Sequence, residues 1–187
     1  PTVALPAVGA LASLLPWLVT LLREIGVGVR VLVPDARSLA RGEACCRSYD
    51  ACAPVKIAHG VVGEDGAGPI FFPKILAVGD RDGPGGKSCV MEQGLPEMMG
   101  SRTEGARIVS PVLDLRGPGA ARVTPFRAAA RALGADPGRV RRALDAADAA
   151  QRRFEADLAE IGRRTLTWAR ARRVPVVLVC GSLHVIH

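Results

Sequence analysis

Aromatic residues are scarce in this chain, at 4% of 187 residues. Its hydrophobic core must therefore be built from Val, Leu, Ile and Ala. Hydrophobic residues still make up 49% of the chain and charged residues 23%, which is typical of a globular protein rather than a disordered one. The net charge is +7, but the arginines are mixed with Asp and Glu and lack interleaved aromatic residues. We therefore predict a solvated basic surface and no nucleic-acid partner.

Two spacings that would assign a site directly are missing. The chain has neither a CxxC pair nor the GxxxxGK[ST] phosphate-binding loop, which residues 83–88 mimic only superficially. The five cysteines are an odd number and include the adjacent Cys45 and Cys46, which argues against a disulfide scaffold. We therefore expect reduced thiols or metal ligands, and a cytoplasmic location.

Charged residues are also missing from Pro1 to Leu22, a length that could span a membrane. Pro6, Gly9 and Pro16 interrupt this stretch, and its first residues have the composition of a strand. We interpret it as a buried strand followed by a helix, with a membrane segment as the alternative. No membrane partner is expected.

Apolar runs alternate with helical patterns along the chain. Strands are predicted at residues 3–5, 27–33, 70–72, 108–113 and 174–180. Helices are predicted at residues 10–25, 54–62, 90–99 and from 124 onward. This order predicts an α/β fold, flavodoxin-like or Rossmann-like, with a doubly wound parallel sheet of about five strands and a long C-terminal helix. We assign residues 1–173 to one α/β half-domain and 174–187 to the first strand of a following, truncated α/β domain.

The C-terminal part has clear helix signals. Thr124-Pro125 resembles a helix start, Gly134 a helix end, and a second helix is expected from about Pro137 to Arg172. Neutral and apolar residues recur in this long helix at alternating spacings of 4 and 3. They are Val140, Leu144, Ala147, Gln151, Phe154, Leu158, Ile161, Thr165 and Trp168. Such a stripe favours packing against the sheet or a partner helix, with a coiled coil as the alternative.

Two cysteines precede predicted helix starts. Cys52 lies between the second strand and a helix, and Cys89 lies between a glycine-rich loop (79–87) and another helix. Ligands of open α/β sheets collect at the carboxyl ends of the strands, and a helix N-terminus stabilises the thiolate that binds iron. Both are candidate metal ligands at the same rim of the sheet, although spacing alone leaves this open. Cys45 and Cys46 are expected to be buried or incidental, Cys180 to lie in the core, and His59 to be structural.

Residues 52–60, CAPVKIAHG, resemble the CxPxKxxHG segment of proteins related to the 2-hydroxyglutaryl-CoA dehydratase component and its CoA-activase fusions. Further segments resemble that family in the family's own order. They are Leu14–Trp17, Ile70–Pro73, Ser88–Glu97, Ile108–Asp114 and Val176–His184. Together these landmarks cover essentially the whole chain.

The resemblance implies a [4Fe–4S] or related cluster at the interface of two α/β domains, with Cys52 and Cys89 as ligands. It also implies an ATP-hydrolysing activator that delivers a low-potential electron, within a 2-hydroxyacyl-CoA dehydratase-like (lyase) or reductase system. The other implied partners are the following α/β domain and an acyl-CoA. Lys74, Val90 and Ser182-Leu183 depart from the family pattern. The alternative function is a non-catalytic α/β binding or scaffold domain without a complete cluster.

Overall fold

The computed structural model describes residues 1–46, 50–63, 68–78, 86–100, 107–116 and 119–179. The N-terminal part contains β1 (Thr2–Pro6), α1 (Gly9–Ser13), α2 (Leu15–Glu24), β2 (Gly28–Leu32), α3 (Ser38–Cys45) and α4 (Ala53–Gly63). The middle part contains β3 (Ile70–Phe71), β4 (Lys74–Val78), β5 (Gly86–Lys87), α5 (Val90–Gly100), β6 (Ile108–Val109) and β7 (Val112–Asp114). The C-terminal part contains α6 (Gly119–Ala132), a short 3-10 helix (Pro137–Arg139) and α7 (Val140–Arg172).

The uncharged N-terminal stretch is a buried strand followed by two short helices. Most of β1 is buried, and Leu18, Leu21 and Leu22 of α2 are fully buried in the core. Gly26 follows α2 with a φ of +87°, which confirms the predicted glycine at the helix end. Within the described ranges, the helices are too short or too polar to cross a membrane.

Four parallel strands form the main sheet, in the order β2-β1-β3-β6. The chain therefore runs outward from β1 in both directions, with β2 on one side and β3 on the other. In doubly wound α/β folds this reversal of strand order opens a crevice at the carboxyl ends of the strands. The parallel sheet and the long C-terminal helix confirm the predicted α/β class.

Two prolines divide what would otherwise be two longer strands. β4 and β7 pair in parallel with the same residue offset as β3 and β6, so Pro73 lies opposite Pro111 at the break. Neither proline has an N–H group to give to the ladder. Hydrogen bonds from Phe72 N to Val109 O and from Lys74 N to Pro111 O, each 3.0 Å, flank the interruption. The predicted strand at 108–113 is therefore two short strands, and β4 and β5 were not predicted.

The start of the helix that precedes Gly134 was predicted wrongly. α6 begins at Gly119, and Pro125 lies inside it rather than in its first turn. Val123 and Phe126 are both buried, so packing of the upstream turn on the core stabilises a longer helix than the local cap signal indicated. Gly134 has a φ of +70° and ends the helix as predicted.

A polar network joins α2, α6 and α7. The indole N–H of Trp17 donates to Asp148 Oδ1 at 2.6 Å, and Arg122 donates to the same oxygen at 2.9 Å. Arg122 also lies over the Trp17 ring, which packs edge-to-face with Phe126 with 5.4 Å between ring centroids. Asp148 thus holds together three helices through two donors.

The predicted stripe of α7 divides into two halves. Val140, Leu144 and Ala147 are buried, and this half of α7 packs against α2. This confirms, for the first half, the prediction that the stripe packs against the sheet or a partner helix. Beyond Gln151, whose side chain donates to Ser13 O at 3.0 Å, the apolar side chains of the stripe are exposed.

The predicted strand at 174–180 does not form over its described part, residues 174–179. Val177 and Leu178 are 84% and 83% exposed. A strand requires a hydrogen-bonding neighbour, and none of the described strands pairs with this segment. Its assignment to a following domain remains a prediction, and Cys180 and residues 181–187 lie outside the described residues.

Candidate functional site

Cys52 immediately precedes the first residue of α4 and caps that helix through its backbone. Its carbonyl oxygen accepts hydrogen bonds from Val55 N at 3.0 Å and Lys56 N at 3.2 Å. Pro54 follows in the first turn, where a helix does not need its missing N–H. The side chain of Cys52 is exposed and its thiol is free. The predicted position before a helix N-terminus is confirmed.

Two glycines fix the position of α4, the helix that follows Cys52. A Cβ atom at Gly42 of α3 would lie 1.7 Å from Lys56 O, and one at Gly60 of α4 would lie 2.0 Å from Ser38 O. The backbones of α3 and α4 therefore touch, which only glycine permits at these points. Lys56 Nζ also lies 3.6 Å from Glu43 Oε1 of α3.

Cys89 occupies the equivalent position before α5. Its carbonyl oxygen accepts a hydrogen bond from Gln93 N at 3.0 Å, and its thiol is exposed and free. The preceding residue, Ser88, donates its N–H to Leu76 O of β4 at 3.0 Å, and Gln93 Nε2 donates to Ser88 O at 3.0 Å. The start of α5 is thus tied to the sheet.

A small cleft lies at the carboxyl ends of β1 and β3, where the strand order reverses. Val8 and Gly9 line it after β1, Phe72 and Pro73 after β3, and Glu92 from the first turn of α5. A Cβ atom at Gly9 would lie 2.4 Å from Glu92 Oε1, so a larger residue there would collide with this carboxylate. The first turn of α5, which follows Cys89, therefore lies at the rim where ligands of such sheets bind.

The sequence did not predict a role at the site for two carboxylates of α5, Glu92 and Glu97. Lys74 of β4, one of the departures from the family pattern, forms an ion pair with Glu97. The hydrogen bond from Lys74 holds the pKa of the Glu97 carboxyl below its ordinary value. Only the tertiary structure brings β4 and α5 together, so neither partner carries a local signal.

The two candidate ligands directly precede two helices that contact each other, α4 and α5. Among the described residues, however, no group of three or more His, Cys, Asp or Glu side chains is placed to hold a metal ion. Cys52 and Cys89 therefore do not form a complete metal site with their described neighbours.

The remaining candidates have structural surroundings. The Cys45 thiol donates to Gly42 O at 3.6 Å within α3, and Cys46 is half-buried against the hydrophobic core. His59 is 5% exposed in α4, in keeping with its expected structural role. Ser182-Leu183 lies outside the described residues.

Comparisons with known proteins identify the family. The family described as CoA enzyme activase uncharacterised domain matches residues 2–186. Neither the curated proteins nor the solved structures include a significant match to the chain. The family match includes Cys52, Cys89 and the segments around them. Because the match extends over almost the whole sequence, the chain belongs to the CoA enzyme activase uncharacterised domain family.

Proposed function

We propose that this domain supplies Cys52 and Cys89 as thiolate ligands to an iron–sulfur cluster, as part of a system that activates an enzyme acting on a CoA substrate. In this proposal the cluster accepts a low-potential electron from an ATP-hydrolysing activator. One observation carries the proposal: both cysteines are exposed, free and placed directly before the N-termini of two helices in mutual contact.

The donor set supports a shared site rather than one built by this chain alone. Thiolates are the usual ligands of iron–sulfur clusters, which commonly take four of them. Two exposed thiols suit half of such a set, and the described residues contain no group of three or more ligands. In the proposal the other ligands come from the undescribed segments or from the following α/β domain of the full-length protein. When bound, such a cluster supplies one-electron chemistry.

The chain's own residues would hold and stabilise the two thiolates. The first-turn N–H groups of α4 and α5 form the positive end of each helix dipole, which favours negative charge on Cys52 and Cys89. The contact of Gly42 and Gly60 fixes α4 against α3, and the hydrogen bond between Ser88 and Leu76 fixes the start of α5. Both ligands are therefore held by regular structure, which favours a fixed geometry.

Anaerobic purification and reconstitution with iron and sulfide tests the assignment. Iron content and the thiolate-to-iron charge-transfer absorbance are measured for the full-length wild type, Cys52→Ala, Cys89→Ala and the matched controls Cys45→Ala and Cys46→Ala. We expect each ligand variant to lose most of the bound iron and the absorbance, while both controls retain them. Circular dichroism shows whether each variant is folded. Wild-type iron content in folded Cys52→Ala and Cys89→Ala would exclude these residues as ligands.

A second function, a non-catalytic α/β binding or scaffold domain, is favoured by one observation. This is the absence of a complete ligand group among the described residues. The same experiment separates the two functions. A wild-type protein that binds no iron after anaerobic reconstitution, but remains folded, would support the scaffold and contradict the cluster.

A further inference from the structure

The second half of α7 presents an apolar stripe whose side chains are exposed in the described structure, with the Arg172 guanidinium of the same helix over the Trp168 ring. Phe154, Leu158, Ile161 and Trp168 are 37%, 51%, 57% and 50% exposed. They continue, at the same alternating spacing, the positions that α2 buries in the first half of the helix. The second half of α7 therefore exposes an apolar face of the kind that helices bury against a partner.

The charged residues beside the stripe indicate which kind of partner helix could pack against it. With Leu144 as position a of a heptad, Leu158 and Thr165 are also a positions, and Asp157 and Arg164 are the g positions that flank them. Both charged side chains are exposed, and neither forms an ion pair with the described residues of its own chain. The Glu160–Arg163 pair occupies the outer face of the helix instead.

We propose that the exposed half of α7 pairs antiparallel with the same segment of a second copy of this chain. In that arrangement Leu158 packs against Ile161 of the second copy, and Phe154 packs against Thr165. Each Asp157 then lies beside Arg164 of the other copy, which gives two opposite-charge pairs. A parallel pair would instead place Asp157 beside the uncharged Gly162, so the charge pattern favours the antiparallel arrangement.

The chain's own fold bounds the overlap, because α2 reaches Asp148 of α7 through Trp17 and Gln151 donates to Ser13 O. The first half of each α7 is covered by its own α2, so an antiparallel overlap places the two folded bodies at opposite ends. An overlap over residues 151–168 would be about 27 Å long. Such an interface is small, and we expect a weak association that depends on protein concentration.

Sedimentation equilibrium of the full chain, from low micromolar to near-millimolar concentration, tests the pairing. We expect a monomer–dimer equilibrium whose dissociation constant rises by roughly 100-fold or more in Leu158→Glu, because each dimer buries this side chain twice. Ala159→Glu adds the same charge one residue away on the outer face and should change the constant by less than about threefold. Since all these side chains are exposed, the helical circular dichroism should not change.

Charge exchange tests the orientation. Asp157→Arg and Arg164→Asp each place like charges together in the proposed homodimer, so each should dimerise about tenfold more weakly. A mixture of the two variants restores both opposite-charge pairs and should form a heterodimer with near-wild-type affinity. A wild type that stays monomeric at all concentrations would overturn the proposal and assign the stripe to another partner or to residues 174–179. A dimer that is insensitive to Leu158→Glu, or a mixture no stronger than its components, would also overturn it.

Discussion

Replacing Gly60 with alanine should force helices α3 and α4 apart. The added Cβ would lie 2.0 Å from Ser38 O and 2.8 Å from Gly42 N, both backbone atoms that cannot rotate away. An ordinary contact begins at 3.4 Å, so the two helices would have to separate by about 1.4 Å. This overpacking should cost about 3 kcal/mol, the upper end of the usual range, because the collision involves backbone.

The higher helix propensity of alanine offsets about 1 kcal/mol of that cost. The net loss in the free energy of unfolding should therefore be about 2 kcal/mol, which corresponds to a fall in Tm of about 4–8 °C for a chain of this size. Urea denaturation and thermal unfolding followed by circular dichroism measure both quantities.

Gly63→Ala provides the matched control on the same helix, since its added Cβ would meet nothing within 4 Å. It should leave the free energy of unfolding unchanged or raise it by up to about 1 kcal/mol. If the Gly60→Ala variant is as stable as the Gly63→Ala variant, the backbones of α3 and α4 are not in contact at Gly60. The position of Cys52 before the N-terminus of α4 would then lose its support.

Two further predictions concern single carboxylates. Asp148→Ala should lower the free energy of unfolding by about 2 kcal/mol, because Trp17 Nε1 loses its acceptor. The exposed Asp145→Ala on the same helix should change it by less than about 0.5 kcal/mol, and equal effects in urea denaturation would contradict the assigned role. The hydrogen bond from Arg41 lowers the pKa of Asp35 from its ordinary 3.8 to about 2, so its contribution to stability is complete above pH 3.8 and is lost as the pH falls towards 2. NMR titration should show this pKa rising towards 3.8 in Arg41→Ala, and an unchanged value would refute the cause.

Local signals in the sequence correctly predicted helix ends and starts where a single residue decides the backbone conformation. Gly26 and Gly134 end helices because their φ angles are positive, and Pro54 is tolerated in the first turn of α4. The sequence also predicted that Cys52 and Cys89 precede helices, because the pattern of the residues around each cysteine indicates a helix start. The α/β class followed from apolar runs alternating with helical segments.

Features that depend on neighbours in space could not be predicted from the sequence. The start of α6 depends on packing of Val123, and the division of the strands depends on Pro73 meeting Pro111 across the ladder. Residues 174–179 have the composition of a strand, but no described strand pairs with them. Propensity is local, whereas pairing requires a partner.

The sequence by itself determined the class of the fold, the family resemblance and the two cysteines that stand before helices. Only the tertiary structure decided that α4 contacts α5, that Glu92 reaches the cleft at the reversal of the strand order, and that the apolar stripe in the second half of α7 remains exposed. The physical reason is that chemical type and local conformation are written in adjacent residues. Contacts between distant residues exist only once the helices and strands have packed together.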